Sequence, residues 1–221
     1  MNLGDLKAVL ETGFDRSDLE HRYVSFINRS LRKLQQDQDW ARTKTIIEVT
    51  IPQLEESVSL PADFKAMTQE QFPVMVRSQD NQTWLPCPLQ SEEYCLRYQA
   101  TTFYPPSQIS QFMARAGVTV FTRRDLNGDT LRIGLPAAED LKFRVSYFRF
   151  LPDLVEDKDD NFLTREYEDL VEHRILATAF ASINDVEMTA AHETLFAKAL
   201  RESAIDDSRR TSQGRPLRMG G

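Results

Sequence analysis

Between residues 17 and 38 apolar side chains return every three or four positions, at Leu19, Tyr23, Phe26, Ile27, Leu31 and Leu34. That period places them on one stripe of an α-helix, and Ser17 with Glu20 three residues on matches a capping box at its start. A shorter helix over 3–11 precedes it and ends at Gly13. At Trp40 the period changes. Thr43, Thr45, Ile47, Val49 and Ile51 alternate with Lys44, Ile46, Glu48 and Thr50, which is strand periodicity in β-branched residues. Further short strands are predicted at 57–60, 73–77 and 83–85, separated by prolines. Asn127-Gly128, between 118–124 and 130–135, marks a hairpin turn. Residues 142–150 then alternate again, with Phe143, Val145 and Tyr147 on one face.

After the acid-rich linker 153–160 the helical period returns. Thr164 is placed to cap a helix carrying Tyr167, Leu170, Val171, Ile175, Thr178 and Ile183, with Glu166, Glu168 and Asp169 at the positive end of its dipole. A last helix is predicted over 186–206, with Met188, Ala191, Leu195, Ala199 and Ala204 on one side and its alanines set for close packing. Strands bounded on both sides by helices, without βαβ alternation, give an α+β fold. The N- and C-terminal helices (1–42 and 153–207) form a helical bundle, 43–152 an inserted antiparallel β domain, and 208–221 an extended C-terminal arm.

Charge separates the arm from the rest. The 221 residues carry a net charge of −7, but from Arg209 onward there are four arginines and no acid, so 23 basic residues face 34 acids in the body, which stands at −11. An acidic body with a short basic tail is a poor wrapper of phosphate backbones, which argues against a general DNA-binding domain. Cys87 and Cys95 have neither the spacing nor the partners of a zinc site or a disulfide framework. The first residues lack the basic and apolar regions of a signal peptide. The most apolar stretch, 175–183, falls short of a membrane span. The expectation is a soluble protein made in a cytoplasm, without a membrane partner.

Candidate chemistry is sparse. His21, His173 and His192 lie on predicted helices among charged residues, with no reactive motif near them. Eight glycines in the whole chain leave little material for a nucleotide cradle. Asp125-Leu126-Asn127-Gly128-Asp129 mimics the start of a calcium loop, but glycine falls at the wrong position and Pro136 replaces the bidentate glutamate; a turn explains it. No enzyme, metal or cofactor is expected. The acids Asp153, Glu156, Asp157, Asp159 and Asp160 read as a solvated linker, or as the wall of a channel if a ring turns them inward. In the tail, Arg209, Arg210, Arg215 and Arg218 with Leu217 and Met219 suit either a frayed terminus or an arm that orders on an acidic partner.

Several stretches together resemble the head-to-tail adaptor (connector) proteins of tailed bacteriophages. They are the helix from Leu19 to Leu34 followed by Trp40; Val58-Ser59-Leu60-Pro61-Ala62-Asp63-Phe64; and Tyr147-Phe148-Arg149-Phe150-Leu151-Pro152 with Asp160-Asn161-Phe162-Leu163. Tyr167-Glu168-Asp169-Leu170-Val171, Ala177-Thr178-Ala179-Phe180, the Asn184-Asp185 junction and Phe196 complete the match, which runs over about 17–207. The resemblance implies a structural virion protein at the neck, between head and tail. It implies a homo-oligomeric, dodecameric ring under the portal protein, with DNA passing through its channel without specific binding. The arm residues then dock on the portal, and the β insertion faces a downstream tail, nozzle or stopper protein. The alternative is a tail-side structural or assembly protein that never contacts the portal; a hydrolase using the histidines is a more distant third.

Overall fold

The computed structural model describes residues 1–77, 83–95, 120–125, 128–133, 137 and 140–213. The chain divides into two units, Met1–Thr43 with Phe150–Gly221, and Lys44–Arg149. The first is helical: α1 (Leu3–Gly13), a 3₁₀ segment (Ser17–Arg22), α2 (Tyr23–Asp37), a short α3 (Phe162–Glu166), α4 (Glu168–Ser182) and α5 (Val186–Gln213). The second carries β1 (Lys44–Ile51), β2 (Ser57–Ser59), β3 (Phe64–Met67), β4 (Val74–Arg77), β5 (Trp84–Cys87), β6 (Val120–Asp125), β7 (Gly128–Ile133) and β8 (Leu141–Arg149). This is the α+β fold expected, with the antiparallel sheets inserted between N- and C-terminal helices.

The stripe predicted on α2 forms the middle of the helical core. Tyr23, Phe26, Ile27, Leu31 and Leu34 are buried against Leu3, Leu6 and Leu10 of α1 and Leu170, Val171, Ile175 and Phe180 of α4. Trp40 is 1% exposed, its ring 5.0 Å from Tyr167 and 6.2 Å from Phe162, and its indole N–H donates to the carbonyl of Leu34 at 3.2 Å. A buried indole keeps its polar edge satisfied in this way while its large ring fills the core.

Start signals are where the local reading fails. The Ser17–Glu20 box does not form. That segment is a 3₁₀ turn without a side-chain cap, and Arg16 pairs with Asp18 instead, at 2.8 and 2.9 Å. Thr164 does not cap the long helix either; it is the third residue of α3, in a capping box with Asn161, whose Oδ1 accepts the N–H groups of Leu163 and Thr164. A second box, Asn2 with Asp5, opens α1. The α4–α5 junction uses Asn184 at φ +58°, a left-handed conformation that asparagine tolerates, and the Asp185 carboxylate then accepts the N–H of Met188 at 3.0 Å.

Sheet formation follows the alternation. β8 is the hub: it pairs antiparallel with β1 from Lys44↔Phe148 to Ile51↔Leu141, with β4 through Val74↔Val145, and with β3 through Met67↔Tyr147. Phe143, Val145 and Tyr147 point into a core shared with Ile51, Phe64, Val74, Val76, Leu131 and Ile133. The expected hairpin is present, with β6 and β7 paired from Val120↔Ile133 to Asp125↔Gly128, and Gly128 at φ +116°. Strand β3 was not anticipated, because Phe64–Met67 follows a Pro-containing turn and is too short for a readable period. The Tyr147 hydroxyl donates to Asp63 at 3.0 Å, and burial followed by that acceptor raises its pKa to about 12.

Replacing Trp40 with alanine is expected to cost about 3–5 kcal/mol, the usual range for emptying a buried aromatic site. Urea unfolding followed by helical circular dichroism reads the loss, and Trp40→Phe should recover most of it.

Candidate docking arm and acidic linker

The final helix runs further than the 186–206 expected. Helix α5 continues to Gln213, carrying Arg209, exposed, and the backbone of Arg210. The correction has a simple cause. Residues 207–213 contain no glycine or proline, and the first breakers are Gly214 and Pro216. Arg215, Leu217, Arg218 and Met219 lie outside the described residues.

The buried face of α5 also differs from the expected one. Phe196, Ser203 and Asp207 are buried, whereas Met188 and Leu195 are 38% and 45% exposed. Alanines occur all round this helix, so its apolar period selects no face; Phe196, with Arg174 of α4 4.6 Å from its ring centroid, marks the packed side. Asp207 is held by the backbone N–H of Ala41, at 3.0 and 3.3 Å to its two oxygens.

All five linker acids have partners within the helical unit. Asp153 takes Arg32 of α2 at 3.1 Å, Asp157 takes Lys7 of α1 at 2.6 Å, Glu156 takes Lys158, and Asp160 takes Arg165. Asp159 accepts the N–H groups of Glu156 and Val155, which hold its carboxyl below the usual range. The linker backbone binds α1 as well: Leu3 N–H donates to the carbonyl of Asp159 at 2.8 Å and Gly4 N–H to that of Asp157 at 2.9 Å. With Asn2 receiving Asp5 and Leu6, the first four N–H groups of α1 are all satisfied. Gly4 fits this contact, since a Cβ there would lie 3.2 Å from the Asn2 Oδ1 and 3.5 Å from Asp157. Asn28 of α2 clamps Leu154 through both its amide atoms, at 2.8 and 2.9 Å. The carboxylates nevertheless stay in solvent, with Asp157 72%, Glu156 64% and Asp153 50% exposed.

A surface cavity of about 310 Å³ lies where α3 and the first turn of α4 meet α5, lined among others by Glu166, Tyr167, Asp169, Leu170, Glu202 and Ser203. Sequence reading counted Glu166, Glu168 and Asp169 only as dipole partners and missed Glu202 and Ser203, because nothing in the period of α5 shows which of its residues face α4.

Of the histidines, His21 lies in the 3₁₀ segment, while His173 and His192 meet between α4 and α5 with ring centroids 5.6 Å apart, and Phe180 stacks on His192. Both Nδ1 atoms are buried without a hydrogen-bond partner. Among the described residues no group of three or more His, Cys, Asp or Glu is placed to hold a metal ion, and no helix is long and apolar enough to cross a membrane.

A protein-family model, the SU10 adaptor protein, matches residues 1–220. The chain belongs to the SU10 adaptor protein family. The resemblance to phage head-to-tail adaptors is thereby borne out, and the adaptor is a structural component of a phage that works by joining other virion components. No curated protein matches the chain. In this adaptor the basic C-terminal segment is helical at its start, and the acidic linker is tied to α1 and α2.

The His192 environment sets a pH dependence. Burial, then the neighbouring His173, lowers its pKa from 6.5, against a smaller opposing pull from Glu172. The unfolded chain therefore binds the proton more readily. The stability this group contributes is full above about pH 6.5 and is lost as pH falls from there through the depressed folded value. Urea unfolding of the adaptor between pH 7 and 5 should show that loss, and the His192→Gln variant should flatten it.

Proposed function

We propose that this adaptor docks as a ring under the portal protein, extends the DNA channel and provides the attachment platform for a downstream tail, nozzle or stopper protein. The observation that carries the reading is the charge division along the chain: an acidic body at −11 is followed by four arginines without an acid, Arg209, Arg210, Arg215 and Arg218, the first of them on the last turns of α5. Arginine forks pair carboxylates in two-bond geometry, and Leu217 and Met219 supply the apolar anchors of a short docking peptide. Such an arm needs an acidic, grooved partner surface, which the portal provides in this reading.

The same reading gives Asp153, Glu156, Asp157, Asp159 and Asp160 a second use as channel wall. Their ion pairs are exposed and contribute little stability, so their worth lies in the charge they present. Repeated round a closed head-to-tail ring, they repel phosphates and keep a passing duplex from adhering. The ring is dodecameric in this proposal, and the β unit faces away from the portal, toward the tail.

Two outcomes test it. Replacing the four arm arginines by glutamine should abolish co-sedimentation with portal rings while helical circular dichroism is unchanged, and docking of the unaltered adaptor should weaken steeply as salt rises from 0.05 to about 0.5 M. A portal affinity untouched by these changes assigns the adaptor to the tail side instead. Neutralising Asp153, Glu156 and Asp157 together should leave docking intact and slow genome exit from assembled particles.

A further inference from the structure

The five-stranded sheet runs β1-β8-β4-β5, with β3 also on β8. Among the described residues β1 therefore has a neighbouring strand on one side only. The direction of its free groups follows from β8. The Ser146 N–H donates to the carbonyl of Pro73 at 2.8 Å, and the Ser146 carbonyl accepts the N–H of Thr68 at 3.1 Å, so both groups point away from β1. Backbone groups alternate sides along an antiparallel strand. Phe143, Val145 and Tyr147 therefore bond to β1, where Val49, Ile47 and Thr45 stand opposite them. The N–H and carbonyl groups of Lys44, Ile46, Glu48 and Thr50 are left on the open edge.

An edge of this kind is ordinarily blunted. At the other edge of the sheet β5 has four residues and contains Pro86, which cannot donate. In the second sheet the edge strand β2 has three residues. Strand β1 has eight, with neither glycine nor proline and with six β-branched side chains. Its Ile46 is 57% exposed.

We propose that this edge is a contact with a second copy of the chain, whose own β1 joins it antiparallel across a two-fold axis. The open backbone groups meet only in registers that set even-numbered residues opposite even-numbered ones. The register centred on Ile46 puts Ile46 against Ile46 of the second copy and Lys44 against its Glu48, twice by symmetry. A shift of two residues loses both charge pairs. A shift of four sets Lys44 against Lys44, or Glu48 against Glu48, and like charges directly opposite destabilise a strand pair. Lys44 is already paired with Glu70, and Glu48 with Arg144 at 2.8 Å. The joined strands align these pairs in one row across the two copies, Glu70, Lys44, Glu48, Arg144, whose sign alternates at every step. On the inward face the half-buried Ile47 gains Thr45 of the second copy beside it. The contact is isologous and closes at two copies. It uses no residue of the arm or the linker and does not rest on portal docking.

Three full-length variants test it: Lys44→Glu, Glu48→Lys, and both changes together. Sedimentation velocity at low salt should show the unaltered chain dimerising as its concentration rises. Each single variant should dimerise about tenfold more weakly, since both attractive pairs become repulsive. The double variant restores opposite charges and should match the unaltered chain, and an equal mixture of the single variants should form a heterodimer. A second measurement needs no charge change: Ile46→Cys, treated with oxidised glutathione, should give a disulfide-linked dimer at the two-fold axis, and Thr50→Cys, four residues from it, should not. The proposal is overturned if the unaltered chain stays monomeric, which leaves the edge to a strand of another protein or to solvent. It is equally overturned if a single variant dimerises as well as the unaltered chain, if the double variant is no stronger than the singles, or if the two cysteine variants crosslink alike.

Discussion

The antiparallel pairing of β1 with β8 is the constraint on which the chain's organisation rests. The two strands are the first and last of the β unit, and their register, Lys44↔Phe148 to Ile51↔Leu141, returns the chain beside the point where it left. An insertion of about a hundred residues therefore costs the helical unit little: Thr43 and Phe150 flank neighbouring strand ends, and the last turn of α2 meets the start of the linker, where the Leu151 N–H donates to Gln35. A register slip of one residue would turn Phe143, Val145 and Tyr147 outward and break the β core. With the ends joined, two segments far apart in sequence fold as one helical unit.

The linker after β8 shows how a charged segment can be structural and still available. Asn28 and Gln35 of α2 bind its backbone, at Leu154 and Leu151, and its own carbonyls complete the N-terminus of α1. Those hydrogen bonds are half-buried and fix the path. The carboxylates add exposed ion pairs, worth about 0.2–1 kcal/mol each at such positions. Their position is thus set mostly by backbone contacts, which lets the side chains serve another purpose, such as repelling a passing polyanion, without loss of the fold.

What the sequence made legible follows the strength of its periodicities. The α2 stripe, the alternation in β1 and β8 and the β6–β7 hairpin at Gly128 all correspond to structure, while Asn127 lies outside the described residues. The two helix starts placed on Ser17 and Thr164 went elsewhere: asparagines, at positions 2 and 161, form the capping boxes, while Arg16 claims Asp18. The face of α5 was unreadable, since alanine is compatible with packing and with solvent alike, and Phe196 alone could have flagged it. The cavity acids were invisible for the same reason, as Asp169 and Glu202 meet only when α4 and α5 pack. The arm and the linker acids were legible as charge, the one feature that needs no fold to be counted.

The central proposal is a position, the virion neck between portal and tail. A cryo-electron microscopy map of the neck tests it most directly. The account predicts a ring of this chain stacked beneath the portal, with α5 and the arm toward the portal and residues 153–160 bordering the channel. A map that places the chain in the tail with no portal contact, or that turns the linker acids away from the DNA, would contradict it.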